Sequence, residues 1–418
     1  MSAAPTSTTT PATTALPTSE QHGIKAHSDG RFGFVPVQTR NDRFKSVDVA
    51  DFAPVTGREA VWKLSPVAKF TDLTAGELDG APYDVDSTPT DGVSIDWVGR
   101  DDARIGSVGA PEERAAANAW TSFEKALAIT VSSDGPRGEE DKEITITRAD
   151  LGTGPRGAHT IIEARPFSRA TIILENTGDA RLTENLEIIV GESAHLTVVS
   201  LQEWNTGAVH LANHFASVGR DAYLKHVVVS LGGSIVRVNP SVRLAGPGSD
   251  TELFGLYFAD AGQHLEQQVY VHHDAANSRS RVTYKGALQG TGARTVWIGD
   301  VLIGRNAPGT DSYEQNRNLV LTEGTRADSI PNLEIETGDI KGAGHASATG
   351  RFDDEQLFYL QSRGITEDEA RRLVVRGFLS EIVQHIGSKP LEDRLQAAIE
   401  AELRSTDEVR APAPTEEN

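Results

Sequence analysis

The side chains in this sequence best suited to metal chemistry are imidazoles, and three of them stand out. His264 and His273 bracket the stretch HLEQQVYVHH, with His272 adjacent, and His345 stands alone in DIKGAGHASATG. Imidazole coordinates iron without help from thiolate, and Gly342 and Gly344 would let backbone or a ligand approach closely. The competing reading, a satisfied structural or surface histidine, applies to each of the three. Other spacings carry less. Gly152, Gly154 and Gly157 in GTGPRG match the dinucleotide fingerprint in letters alone. A strand-like HTIIEAR follows where a helix should begin, and Pro155 interrupts the run. The sequence contains no GxxxxGK[ST], GxSxG or HExxH, so it gives no support to ATP hydrolysis or to the common hydrolase chemistries.

The chain has 418 residues and no cysteine. A disulfide framework is excluded, as is an iron–sulfur or zinc site held by this chain's own thiolates. Any metal must rest on His, Asp or Glu, or on a ligand lent by another subunit. The formal charge of −20 disfavours nucleic acid and anionic membrane as partners. The first twenty residues carry no Lys or Arg and no apolar core of signal-peptide length, and no run approaches about 18 apolar residues. These features point to the cytoplasm.

The candidate histidines must be positioned by the elements around them. Residues 1–20, rich in Ser, Thr, Pro and Ala, read as a disordered arm, and residues 405–418 as a disordered tail. Residues 21–135 read as a small N-terminal region with helices, one of them over 111–127. From 143 to 336, short runs rich in Val, Ile, Leu, Thr and Tyr alternate with Gly, Asn and Asp turns, without a helix of useful length. This segment has a period. Gly191-Glu-Ser-Ala-His-Leu196 recurs from Gly219, from Gly248 and, with Asn, from Asn277, at intervals of 28, 29 and 29. One left-handed-tolerant turn and one inward aliphatic per unit is what a solenoid requires, and units made only of strands give a parallel β-helix. The period blurs before Gly191 and after Ser280. The β-helix core is assigned to 136–345, and the C-terminal helical region to 346–404. There Thr366 and Glu369 have capping-box spacing, and Val374, Phe378, Ile382 and Ile386 recur at i+4.

The stretch PNLEIETGDIKGAGHASATGRFDDEQLFYLQSRGI, residues 331–365, resembles the C-terminal signature of the SufB/SufD family of iron–sulfur cluster assembly proteins. VTYKGAL from Val282, ARTVWIGDVLIG from Ala293 and TDSYEQNRNLVL from Thr310 also resemble it. So do SVDVADF from Ser46 and GREAVWKLSP from Gly57. The resemblance spans about residues 40–390. It implies a mainly β protein, a right-handed parallel β-helix flanked by a small N-terminal region with helices and a C-terminal helical region.

The resemblance is to the SufD branch, because the SufB branch carries an essential cysteine and an acidic residue directly after the loop histidine. Here Ala346 follows His345. That branch implies a non-catalytic scaffold that supports iron acquisition, pairs with a SufB paralogue through the β-helices and binds the ATPase SufC through its C-terminal helices. Phe358, Leu360, Val375 and Phe378 are the candidates for that contact. His345 matches the histidine implicated in cluster assembly at the paired interface, and His264 and His273 match positions shared across the family. Some SufD proteins carry a cysteine two residues before the histidine; Ala343 stands there. A cluster would then be transient and shared with SufB, and the isolated chain would hold none stably. Reduced flavin is associated with such complexes, and no flavin motif occurs. The alternatives are a β-helix enzyme acting on acidic polysaccharide, usually extracellular, and a stand-alone homodimer of the same fold.

Overall fold

The computed structural model describes residues 24–26, 34–36, 40–133, 142–351 and 354–410. Strands β1 (Ile24–Ala26) and β2 (Phe34–Pro36) form an antiparallel pair. A short helix α1 (Thr71–Ala75), strands β3 (Asp86–Ser87) and β4 (Val93–Gly99), and helix α2 (Arg114–Ser122) complete the N-terminal region. The helix foreseen over 111–127 ends earlier, at Ser122, because the apolar run that follows is a strand.

The rest of the core is two sheets of nine strands that the chain visits alternately. One contains β6 (Lys142–Ala149), β8 (Arg169–Gly178), β10 (His195–Trp204), β12 (Tyr223–Ser230), β14 (Asp250–Ala259), β16 (Arg279–Leu288), β18 (Thr310–Val320) and β20 (Ile340–Arg351). The other contains β5 (Lys125–Val131), β7 (Arg156–Ala164), β9 (Arg181–Val190), β11 (Val209–Val218), β13 (Ile235–Leu244), β15 (His264–His273), β17 (Arg294–Ile303) and β19 (Arg326–Ile335). Within each sheet these strands are parallel, so each turn of chain stacks on the last as the periodicity foretold. The inward face of the earlier rungs is largely aliphatic, as in Ile144, Ile172, Val198, Leu253 and Val282. At one end β3 and β4 pair antiparallel with β6 and β5 and close the stack, and Tyr83, Val93, Ile95 and Trp97 pack over the core there. At the other end β19 and β20 are edge strands.

The repeat needs one correction. Leu224 faces Thr251 in the ladder, not Leu253, so the unit that stacks on Gly219 begins at Gly246. A slip of two residues keeps every side chain on its own face, so the inward–outward pattern cannot detect it. The left-handed positions are Ser193, Asp221, Gly248, Asn277 and Gly309. Rung length also varies: Arg169 faces His195, an offset of 26, whereas Arg279 faces Asp311, an offset of 32. That variation is what blurs the period at both ends.

Each outer face has its own cover. The N-terminal region lies on the odd-numbered sheet, where Trp62, Phe70 and Leu73 pack against Val209, Leu211 and Ile235. A buried ion network fastens it: Arg237 Nη1 meets Glu113 at 3.2 Å, and Arg237 Nε meets Glu266 at 3.0 Å. Helices α3 (Asp354–Gln361), α4 (Glu367–Gln384) and α5 (Lys389–Arg410) follow β20. Val375, Leu379, Ile382, Leu395 and Ile399, from α4 and α5, bury themselves on Val199, Val227, Phe254 and Leu256 of the even-numbered sheet. Thr366 caps α4, its hydroxyl accepting from the Glu369 amide at 3.3 Å. Helix α5 continues to Arg410, so residues 405–410 are helical rather than the start of a disordered tail; STDEVR contains no helix breaker to stop it. Residues 1–20 and 411–418 lie outside the described residues. Among the described residues no helix is long and apolar enough to cross a membrane.

Candidate functional site

His345 lies within strand β20, where a loop was foreseen from its glycines. Strand β20 can hold Gly342 and Gly344 because its ladder partner β18 fixes the backbone from one side. His345 stands opposite Glu314 in that ladder, and its side chain is 43% exposed. Its Nδ1 is 3.9 Å from Glu314 Oε1. That is an ion-pair distance and too long for a hydrogen bond.

Glu314 is the residue that sequence reasoning missed. It belongs to the inward face of β18 with Ser312, Asn316 and Asn318, where earlier rungs carry mainly aliphatic side chains. Its side chain is 1% exposed, and neither carboxylate oxygen has a hydrogen-bond partner of normal geometry. Burial pushes its carboxyl up to about 8, the Asp300 carboxylate adds to the shift, and the Asn332 backbone opposes it. A Cβ on Gly299, in the facing sheet, would lie 2.3 Å from the Trp297 ring and 2.5 Å from Glu314 Oε2, so glycine there leaves room for both. One signal could have found it. A last rung nearly as long, 31 residues from Asp311 to Gly342, brings Glu314 opposite His345.

The other two histidines sit elsewhere. His264 opens β15 and is buried; its Nε2 meets Glu266 Oε2 at 2.9 Å, within the Arg237–Glu113 network under the N-terminal region. Burial pushes Glu266 up, but Arg237 and then the His264 contacts outweigh it and hold the carboxyl at about 2. His273 closes β15, fully buried, with Nδ1 2.7 Å from the Ser278 hydroxyl and Nε2 2.9 Å from that of Ser280. Burial pushes its imidazole down to about 3. Both ring nitrogens are engaged, which is how a packing histidine is satisfied. The structure does not bring His264, His273 and His345 together, and among the described residues no cluster of three or more His, Asp or Glu is arranged to hold a metal ion. Among the described residues, a metal at His345 would therefore find fewer than three such ligands.

The helical candidates divide by exposure. Val375 is fully buried against the even-numbered sheet, and Phe378 packs at the edge of the same cluster. Lys285 Nζ lies 4.8 Å over the Phe378 ring and 2.5 Å from Glu381, clamping α4 to β16. Leu360 is half-buried. Phe358 is 72% exposed and Tyr359 53%, an apolar pair on α3 facing solvent. At the open end of the solenoid Tyr313, Ile330 and Ile335 are exposed as well.

Comparison with known proteins gives a consistent result. The family model for the SUF system FeS cluster assembly SufBD core domain matches residues 149–378. An iron–sulfur cluster assembly SufBD family protein of Mycobacterium leprae is 47% identical over 371 residues, covering 87% of this chain and 94% of the relative. One from Mycobacterium tuberculosis is 47% identical over 377 residues, covering 88% and 94%. A second SufBD family protein of Mycobacterium leprae is 30% identical over 211 residues, 50% of this chain and 24% of that relative. This chain belongs to the SufBD family of iron–sulfur cluster assembly proteins.

Proposed function

We propose that this chain is the SufD-type scaffold subunit of a cytoplasmic iron–sulfur cluster assembly complex. It pairs end-on through its solenoid with a SufB-type paralogue, and it binds the ATPase SufC through its C-terminal helices. It performs no catalysis of its own. His345 gives the nascent cluster an imidazole ligand, and the paralogue supplies thiolate. The chain alone holds no stable cluster, since it has no cysteine.

The carrying observation is the asymmetry of the solenoid. One end is closed by β3 and β4, while at the other β19 and β20 are edge strands among the described residues, with Tyr313, Ile330 and Ile335 exposed on the strands at that end. Solenoids need a cap at each end, and an uncapped parallel edge is a template for another chain. Mycobacterium leprae has two SufBD family relatives of this chain, which fits a paired arrangement of paralogues. Phe358 and Tyr359 on α3 are the accessible contacts for SufC, whereas Val375 supports the helices from beneath.

The test is co-expression with the SufB-type paralogue and SufC from the same organism. The three should co-purify in fixed stoichiometry, and His345→Ala should keep the complex and its melting temperature while slowing cluster formation. A chain that forms only homodimers and ignores the paralogue would overturn the proposal.

A further inference from the structure

Resting on that reading of His345, we infer that Glu314 and His345 together form a ferrous-iron entry site at the open end of the solenoid, the carboxylate and imidazole binding one Fe(II) before sulfur arrives. Three observations carry this.

First, Glu314 is buried with no hydrogen bond of normal geometry to either oxygen, the Asn332 backbone alone lying close enough to favour its charge. A buried polar group kept for packing alone is normally hydrogen-bonded, and the neighbouring Asn316 and Asn318 are, to Tyr257 and to each other. Second, the carboxylate points at His345 with Nδ1 to Oε1 at 3.9 Å. Two ligands each roughly 2.1 Å from one divalent ion sit roughly 3–4 Å apart, so the pair already has a suitable bite. Third, space is kept for the carboxylate and access for the ion. A methyl on Gly299 would collide with the Trp297 ring and with Oε2, and His345 is nearly half exposed on β20, the edge strand of its sheet among the described residues.

The donor set selects the class of ion. Imidazole with carboxylate suits Fe(II) and similar divalent metals, and no thiolate is present to favour a soft ion. The nearby Asp300 carboxylate adds negative potential, although Arg40 and Asn332 hold it in place. Two protein ligands give a weak site that releases its iron, as delivery requires, and the paired subunit would complete the coordination.

Anaerobic titration calorimetry of the full chain with Fe(II) alone tests this, on wild type, His345→Ala, Glu314→Gln and Glu314→Asp. Wild type should bind one Fe(II), and His345→Ala and Glu314→Gln should each weaken binding at least tenfold. Glu314→Asp, which retracts the charge, should weaken it by less. Pairing with the SufB-type paralogue is measured in parallel and should be unchanged in all four. Full Fe(II) affinity in Glu314→Gln with loss in His345→Ala would overturn the role of Glu314 while leaving the scaffold assignment intact. No Fe(II) bound by wild type, either alone or in the paired complex, would overturn the site altogether. Loss of pairing in wild type would instead overturn the scaffold reading. If Glu314→Gln fails to fold, unaltered affinity in Glu314→Asp refutes the proposal.

Discussion

His226 offers a direct measure of how dry the solenoid interior is. It sits on the inward face of β12 between Val198 and Leu253 on the neighbouring rungs, and its side chain is buried. Its Nε2 lies 2.9 Å from His214 Nδ1, and its own Nδ1 has no partner. Burial pushes its imidazole down to about 4. An unfolded histidine titrates near 6.5, so between those values the unfolded chain binds a proton that the folded chain refuses. The stabilising contribution of a neutral His226 is therefore complete above about pH 6.5 and is lost as the pH falls towards 4. At pH 5 the gap is about 1.5 units, or about 2 kcal/mol at 1.4 kcal/mol per unit. His226→Leu matches the aliphatic neighbours in its column and removes this titration. The variant pays at neutral pH for leaving His214 without its partner, by about 1–3 kcal/mol. On going from pH 7.5 to pH 5, however, it should lose about 2 kcal/mol less stability than wild type. His214 is held neutral mainly by burial, with His226 adding to the effect, so the comparison reads the buried His214–His226 pair. Urea unfolding followed by circular dichroism at the two pH values measures it. An identical acid loss in both proteins would mean that the interior admits the charged imidazole and that the burial argument is wrong.

Two further outcomes follow from packing. Leu379→Ala should cost about 2–5 kcal/mol, because it opens a hole between α4 and the even-numbered sheet, while Phe358→Ala should change stability by less than about 0.5 kcal/mol and weaken SufC capture. Thermal melts and pull-downs separate the two, and a large loss of stability in Phe358→Ala would show that α3 is packed after all. Gly286→Ala should destabilise by about 1–3 kcal/mol or more, since its Cβ would fall 1.8 Å from Tyr257 Cε2 inside the core. An unchanged melting temperature there would show that the Tyr257 ring moves aside.

The architecture was legible because a solenoid repeats its constraints. Four turns at similar intervals revealed the β-helix, even with one unit set two residues out of register. The GTGPRG stretch was rightly refused as a nucleotide loop, for Gly152 takes a positive φ in a turn and Arg156 begins strand β7. The capping box at Thr366 was legible because capping is local. The candidate site was legible only by half. His345 announced itself as a lone imidazole among glycines, but the same glycines suggested a loop, and the ladder to β18 that makes the segment a strand is a non-local contact. Glu314 gave no local signal. In TDSYEQNRNLV polar residues occupy both faces, so the inward one cannot be told from its neighbours without the rung offset. Likewise nothing in the sequence separated buried Val375 from exposed Phe358, because both lie in apolar helical stripes.

One inward column shows why the proposed site falls at this end of it. Reading along the even-numbered sheet, ladder partners run Ile144, Ile172, Val198, His226, Leu253, Val282, Glu314 and His345. Through most of its length a side chain in this column is sealed by a rung on either side, so an acid there would be dry and out of reach. His226 shows the consequence, a buried imidazole held neutral. Among the described residues β20 is the last strand of its sheet, so His345 is exposed, and Glu314, one rung in, is approached only past the His345 ring. The end of a solenoid is thus where a polar pair can be shielded by its own chain and still open to a partner. Extending the β-helix by one rung would bury His345 as deeply as His226. Ending it one rung earlier would expose Glu314 to water and remove the constraint that aims it.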